Sequence, residues 1–160
     1  MININIICIG KLKEEYWRLA CAEYIKRLGA FCKIKVIELP ECRLPDNPSK
    51  AQIENTILTE GKAIENKIGQ GDYVAAMCIE GDMLSSEELA AKIEKTGVSG
   101  YGTVDFVIGG SYGLSDEIKR KANAGISMSR MTFPHQLARV LLLEQVYRAF
   151  MISSGGKYHK

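Results

Sequence analysis

No C-x-x-C pair occurs in the 160 residues, although five cysteines do, at positions 8, 21, 32, 42 and 78. An odd and scattered set argues against a disulfide framework and against a zinc site, and it fits a reducing cytosol. Cys8 and Cys78 lie in apolar runs, where a free thiol behaves as a small hydrophobe. No basic stretch opens the chain. Its apolar start, "MININIICIG", meets Lys11 too soon for a signal peptide or a membrane span. The expectation is a cytoplasmic protein with no membrane partner and no metal. Neither sign of charge dominates: the net is +2, too little to establish a nucleic-acid partner by itself. No internal repeat and no linker divides the chain, so residues 1–160 are read as one domain.

What is present is an alternation. Short β-branched runs at 4–10, 33–40, 73–81, 103–110 and 124–129 read as strands. Helical spacing marks 14–29, 50–67, 86–96, 114–122 and 134–152. Gly29 and Gly81 are read as stops, and Ser49, Ser85 or Ser86, and Ser115 as helix caps. Strand and helix in turn imply an α/β fold, a mostly parallel sheet with helices on both faces.

In such sheets ligands bind at the carboxyl ends of the strands. Three of those ends are unusual here: "CIEG", "IGGSYGL" and "SMSRMTF". The glycine run 108–113 is spaced G-G-x-x-G, not G-x-G-x-x-G. It serves either a ligand that approaches the backbone or a tight strand-to-helix turn. The loop 127–135 offers hydroxyls, two methionines and Phe133. Those suit a purine or a sulfur-bearing ligand, or form an ordinary core loop before Pro134.

The last helix, in "MSRMTFPHQLARVLLLEQVYRAF", is apolar nearly all round yet carries His135, Arg139, Glu144, Gln145 and Arg148. His135 and Arg139 fall within about 40° on one face, and Glu144 and Arg148 form an i, i+4 pair on roughly the opposite face. Two potential cations near a helix N-terminus repel the dipole unless an anion or an electron-rich ligand is near, or Arg139 reaches back to carbonyls of the 128–133 loop. The last third of the chain, 101–160, holds eight Lys and Arg against four Asp and Glu. Its tail Lys157-Tyr158-His159-Lys160 either touches phosphate and stacks on a base, or is disordered.

Together "FVIGGSYGL", "MTFPHQLARVLLLEQVYRAF", the terminal "KYHK" and "IGKLKEEYWRLACAEYIKRLG" resemble the bacterial large-subunit ribosomal RNA methyltransferase H family over essentially the whole chain. The resemblance implies the SPOUT class, with a deep C-terminal trefoil knot. It implies S-adenosylmethionine as cofactor and a homodimer. The implied product is N3-methylpseudouridine in the decoding-region stem-loop of 23S rRNA, made on the assembled 70S ribosome. By position it places the cofactor at Met77, Gly109, Gly110, Met128, Ser129, Arg130, Met131, Thr132 and Phe133. This chain departs in carrying Cys78 where strand three often has a carboxylate.

On that footing Arg139 is expected to stabilise the developing imide anion, and His135 or a water to accept its proton. Glu144, Gln145 and Arg148 are expected to pair in the knot or across the dimer. Lys157, Tyr158, His159 and Lys160 are expected to bind RNA. A SPOUT enzyme with another RNA target and a non-catalytic ribosome-binding factor are the rival readings.

Overall fold

The computed structural model describes residues 1–160. In chain order the elements are β1 (Asn3–Ile9), α1 (Glu15–Leu28), β2 (Lys33–Leu39), α2 (Lys50–Glu65), β3 (Tyr73–Met83), α3 (Ser86–Val98), β4 (Thr103–Ile108), α4 (Asp116–Lys121), β5 (Ala124–Ser127) and α5 (His135–Ser153). The five strands form one sheet in the order β2-β1-β4-β3-β5, and every pairing is parallel.

Strand alternation divides the core. Ile4, Ile6, Cys8, Val104, Phe106 and Ile108 point to the face covered by α1, α3 and α5. Ile7, Ile9, Val74, Ala76 and Val107 point to the other, against α2 and α4. Connections that step toward the β2 edge carry α1 and α3. Those that step toward the β5 edge carry α2 and α4. A constant crossover hand requires that sorting. Ser49 with Gln52 and Ser85 with Glu88 form reciprocal capping boxes, and Ser115 caps α4 through the Ile118 N–H.

Gly29 ends α1 in right-handed geometry, so it stops the helix without using its conformational freedom. Gly81 does not end β3, which runs on to Met83 with a jump in its pairing to β5 between Met77 and Asp82. The four intervening residues bulge out of the ladder. A Cβ on Gly81 would stand 2.6 Å from the Gly125 carbonyl carbon, so only glycine lets the bulge lie this close to β5.

Asp105 is the odd residue of the α2/α4 face. It is fully buried on β4 opposite Asn5 of β1 and Val74 of β3. Its Oδ1 accepts the Asn5 amide at 2.8 Å, while Oδ2 has no partner. Burial pushes its carboxyl up to about 6; the Asn5 hydrogen bond opposes that rise and the charge of Asp72 adds to it.

Helix α5 packs between α1 and α3. Not one residue from His135 to Ile152 is exposed. Leu142, Leu143, Val146 and Ala149 are sealed in the core, and burying each large aliphatic side chain contributes about 1.5–3 kcal/mol. Tyr147 adds contacts with Tyr24 and Phe31, and Phe150 stacks on Phe31.

The polar cluster Glu144, Gln145 and Arg148 of α5 is paired within the chain. Glu144 Oε1 accepts from Arg148 Nε at 3.0 Å and from the Tyr158 hydroxyl at 3.1 Å. Gln145 donates to Glu144 Oε2 at 2.7 Å and accepts from Ser86 at the same distance. These pairs need no partner subunit.

Candidate functional site

The carboxyl ends of the strands carry two adjoining depressions. The first is a cleft of about 240 Å³ over β3, β4 and β5. The bulge supplies Met77, Cys78 and Ile79; the end of β4 supplies Ile108, Gly109 and Gly110; the loop after β5 supplies Met128, Ser129, Met131, Thr132 and Phe133. His135 and Ala138 of α5 close it. The second is a wider polar groove of about 1010 Å³ over β1 and β2, bounded by the loop 40–45. His135 lines both.

The local reasons are visible. β1 and β4 are neighbours whose following helices lie on opposite faces, so the chain parts above them and leaves a crevice. The turn after β4 is tight. A Cβ on Gly109 would stand 2.6 Å from the Gly113 carbonyl carbon, and Gly113 takes the left-handed φ of 81°. The loop after β5 is held by its own hydroxyls: Ser127 donates to the Ser129 carbonyl at 3.0 Å, and Ser129 accepts the Met131 N–H at 3.0 Å.

Eight of the nine residues expected around the cofactor line this one cleft. Arg130 is the exception; it is exposed and turned away from the cavity wall. The glycine run is therefore both a tight turn and a cavity wall. Apart from His135, no titratable side chain other than the Cys78 thiol reaches the cleft. Burial raises that thiol's pKa, so Cys78 is a neutral wall atom where a carboxylate would carry charge.

Arg139 differs from expectation. It is 1% exposed and lines neither depression. Nη1 pairs with Glu38 at 2.6 Å, and Nη2 donates to the Gly10 carbonyl at 3.0 Å. It reaches back to the ends of β1 and β2, not to the 128–133 loop. The cation under the N-terminus of α5 is thus neutralised by its own carboxylate.

His135 is half-buried, which favours its neutral form. Burial depresses its pKa; the nearby Glu41 carboxylate opposes this and the Arg139 cation reinforces it. Its Nδ1 is sealed and partnerless, and no hydrogen bond occupies Nε2. The lowered pKa of His135 and the Glu38 partner of Arg139 both reduce repulsion between the two potential cations.

The C-terminal tail is docked. Arg148 lies over the Tyr158 ring at 4.7 Å, Tyr147 meets Tyr158 edge-on at 4.9 Å, and His159 pairs with Glu87 at 2.8 Å. Only Lys157 and Lys160 of the four expected RNA contacts are exposed.

Sequence reasoning missed Glu38, Glu41 and Glu60, all on the groove wall. A signal existed for Glu60. Thr56, Glu60 and Ile64 recur every four residues on the buried stripe of α2, which puts a carboxylate where an apolar residue is due.

The chain is matched by the family model described as "Predicted SPOUT methyltransferase" over residues 2–159. It is 51% identical to the ribosomal RNA large subunit methyltransferase H of Oenococcus oeni over 160 residues, all of both chains. It is 50% identical to the protein of that name from Lactiplantibacillus plantarum, over 99% of this chain and all of the other. Among solved structures it resembles a probable methylase family protein from Haemophilus influenzae, with a TM-score of 0.54 and 16% identity, covering 99% of this chain and 71% of that one. That last likeness bears on the fold alone. The family model over residues 2–159 and full-length relatives at 50–51% identity place the chain in the SPOUT methyltransferase family, within its ribosomal RNA large subunit methyltransferase H group.

Proposed function

We propose that the chain methylates N3 of a pseudouridine in 23S rRNA on the assembled 70S ribosome, using S-adenosylmethionine, and that it works as a cytoplasmic homodimer with a knotted C-terminal region. The observation that carries this reading is the position of His135 on the wall shared by an apolar cleft and a polar groove. The cleft suits the cofactor: Met, Ile and Phe side chains offer flat and soft contacts, and the backbone of an irregular loop offers hydrogen bonds to a ring edge. Bound there, the cofactor supplies an electrophilic methyl group on a sulfonium.

The chain's own residues then have two tasks. One is to hold the acceptor nitrogen in line with that methyl, which supplies much of the rate. Lys11, Lys13 and Arg43 border the groove and suit the phosphates on either side of the target, while the exposed ring of Tyr112 suits stacking on its base. The other task is to remove the imide proton. His135 is neutral, faces the junction and has a free Nε2, so it fits the acceptor role, directly or through a water. Arg139 acts from behind. Its charge helps keep His135 neutral, and its fork ties α5 to the ends of β1 and β2.

Lys157 and Lys160 extend the basic surface, whereas Tyr158 and His159 fix the tail. The exposed apolar side chains Ile79, Met83 and Met131 beside the cleft fit coverage by a second copy. The absence of any exposed residue from His135 to Ile152 fits a helix enclosed by its own chain.

The test is to incubate pseudouridylated 70S ribosomes with methyl-labelled S-adenosylmethionine and locate the label by nuclease mapping and mass spectrometry. Label on N3 of one pseudouridine of 23S rRNA is expected. Label elsewhere would redirect the reading to another RNA target. An absence of both label and cofactor binding by calorimetry would end it.

A further inference from the structure

Glu60 is a buried acid that the scheme above leaves idle. It is 4% exposed, on the core-facing stripe of α2. Its Oε2 accepts the Cys42 N–H at 3.1 Å. Its Oε1 accepts nothing from the chain, yet it is not among the sealed, partnerless side-chain atoms, which are Asp105 Oδ2, His135 Nδ1 and Arg139 Nε. Oε1 therefore opens onto the groove that Glu60 lines. It also stands behind the cofactor turn: a Cβ on Gly110 would lie 3.0 Å from it. Burial raises the pKa of this carboxyl, with the Cys42 N–H opposing and the Glu41 charge adding. Oε1 has no partner within the chain, so a ligand that covers it and shuts out water must bring a donor or leave it unpaired.

Pseudouridine differs from uridine in one hydrogen-bonding group. Its ring is joined to the sugar through carbon, so N1 keeps a proton. N1 and N3 flank the same ring carbonyl. When N3 faces the cleft, N1–H projects from the next-but-one corner of the ring. Gly110 borders the cleft and Glu60 the groove, and Glu60 Oε1 lies close against Gly110.

We propose that Glu60 is a specificity-determining residue whose Oε1 accepts N1–H of the target base and so selects pseudouridine over uridine. The inference rests on the target assigned in the preceding subsection. A uridine offers no donor at that point and leaves the buried acceptor unpaired, the situation in which a polar site discriminates most strongly. Glutamine cannot take over both duties. A carboxylate accepts on two oxygens, but an amide accepts on one, so either the Cys42 N–H or the base goes without.

The experiment compares single-turnover methylation by the full-length enzyme on two ribosome preparations, one with the target isomerised to pseudouridine and one with it left as uridine. Cofactor affinity is measured alongside. Wild type is expected to prefer the pseudouridine ribosomes by about 100-fold or more. Glu60→Gln is expected to cut that preference at least about tenfold, by slowing the pseudouridine reaction while sparing the uridine one and the affinity for S-adenosylmethionine. Glu60→Asp keeps two acceptor oxygens and should retain part of the preference. An unchanged preference in Glu60→Gln, or an equal loss on both substrates, overturns the proposal. If Glu60→Gln fails to fold, the same ratio in Glu60→Asp decides: reduced supports the proposal, unchanged overturns it. A wild type that methylates both ribosomes equally removes the discrimination while leaving methyl transfer standing. A wild type that methylates neither removes the assigned target itself.

Discussion

Replacing Asp105 by asparagine should stabilise the protein at neutral pH and leave its chemistry alone. The carboxyl is fully buried and its pKa is pushed from the usual 3.8 up to about 6. The native state therefore holds this proton more tightly than the unfolded chain does. The contribution is fully present below the unfolded value and is lost as pH rises through about 6. Above that, a carboxylate displaced from 3.8 to about 6 costs about 3 kcal/mol, at 1.36 kcal/mol for each pH unit. Asparagine keeps an oxygen for the Asn5 amide, and it places an NH2 group at the partnerless Oδ2 position, beside Asp72. The expected gain is about 1–3 kcal/mol at pH 8, which is about 2–10 °C in Tm for a chain of this size. Towards pH 4 the gain should shrink to a small fraction of that, and below 3.8 it should fade out. Urea unfolding of both proteins at pH 4.5 and pH 8, read as the difference between them, isolates this group from every other. An equal difference at the two pH values, or a variant less stable at pH 8, would refute the reasoning. Methylation rates should match, because Asp105 lines neither the cleft nor the groove.

The remaining predictions concern the site. Methylation should fall as pH drops through the depressed pKa of His135, below its ordinary 6.5, and stay level above it as far as this group is concerned; His135→Asn should remove that acid limb and lower kcat by about 100-fold or more, whereas full activity at every pH would exclude His135 as the proton acceptor. Arg139→Met should shift the acid limb toward higher pH, since a cation that depresses the His135 pKa is gone. Arg139→Lys, which cannot fork between Glu38 and Gly10, should cost about 1.5–3 kcal/mol of stability by urea melts without that shift. A purely structural Arg139 would leave the pH profile in place in both. Removing the two exposed tail charges with Lys157→Ala and Lys160→Ala together should weaken ribosome binding and flatten its salt dependence while sparing cofactor affinity. Identical binding at low and high salt would count against an RNA-facing tail.

The strand and helix alternation was legible because each element carries its own period and its own cap: Ser49, Ser85 and Ser115 announce their helices within three residues. The wall of the cleft was legible for a similar reason, since it is made of whole loops whose composition is local. What escaped was set by distance along the chain. Arg139 finds Glu38 and Gly10 from 101 and 129 residues away, and no spacing rule spans that gap. The β3 bulge depends on Gly81 lying against Gly125, a contact between elements and not a property of either. Sequence reading took that glycine as a strand end because a lone glycine in a strand marks an end or a bulge equally well. The docking of Tyr158 onto Glu144 and Arg148 was hidden in the same way, behind the ordinary expectation that a terminus is loose.

Helix α5 brings both His135, the proposed proton acceptor, and the pin that fixes the mouths of β1 and β2, and of the ten elements it is the last to be made. A nascent chain that has not yet released this helix has its strands and most of its cleft loops, but no His135 at the junction and no guanidinium holding Gly10. Competence therefore arrives late in synthesis and all at once. An unfinished copy, tethered to the ribosome that is translating it, would lack the proposed proton acceptor.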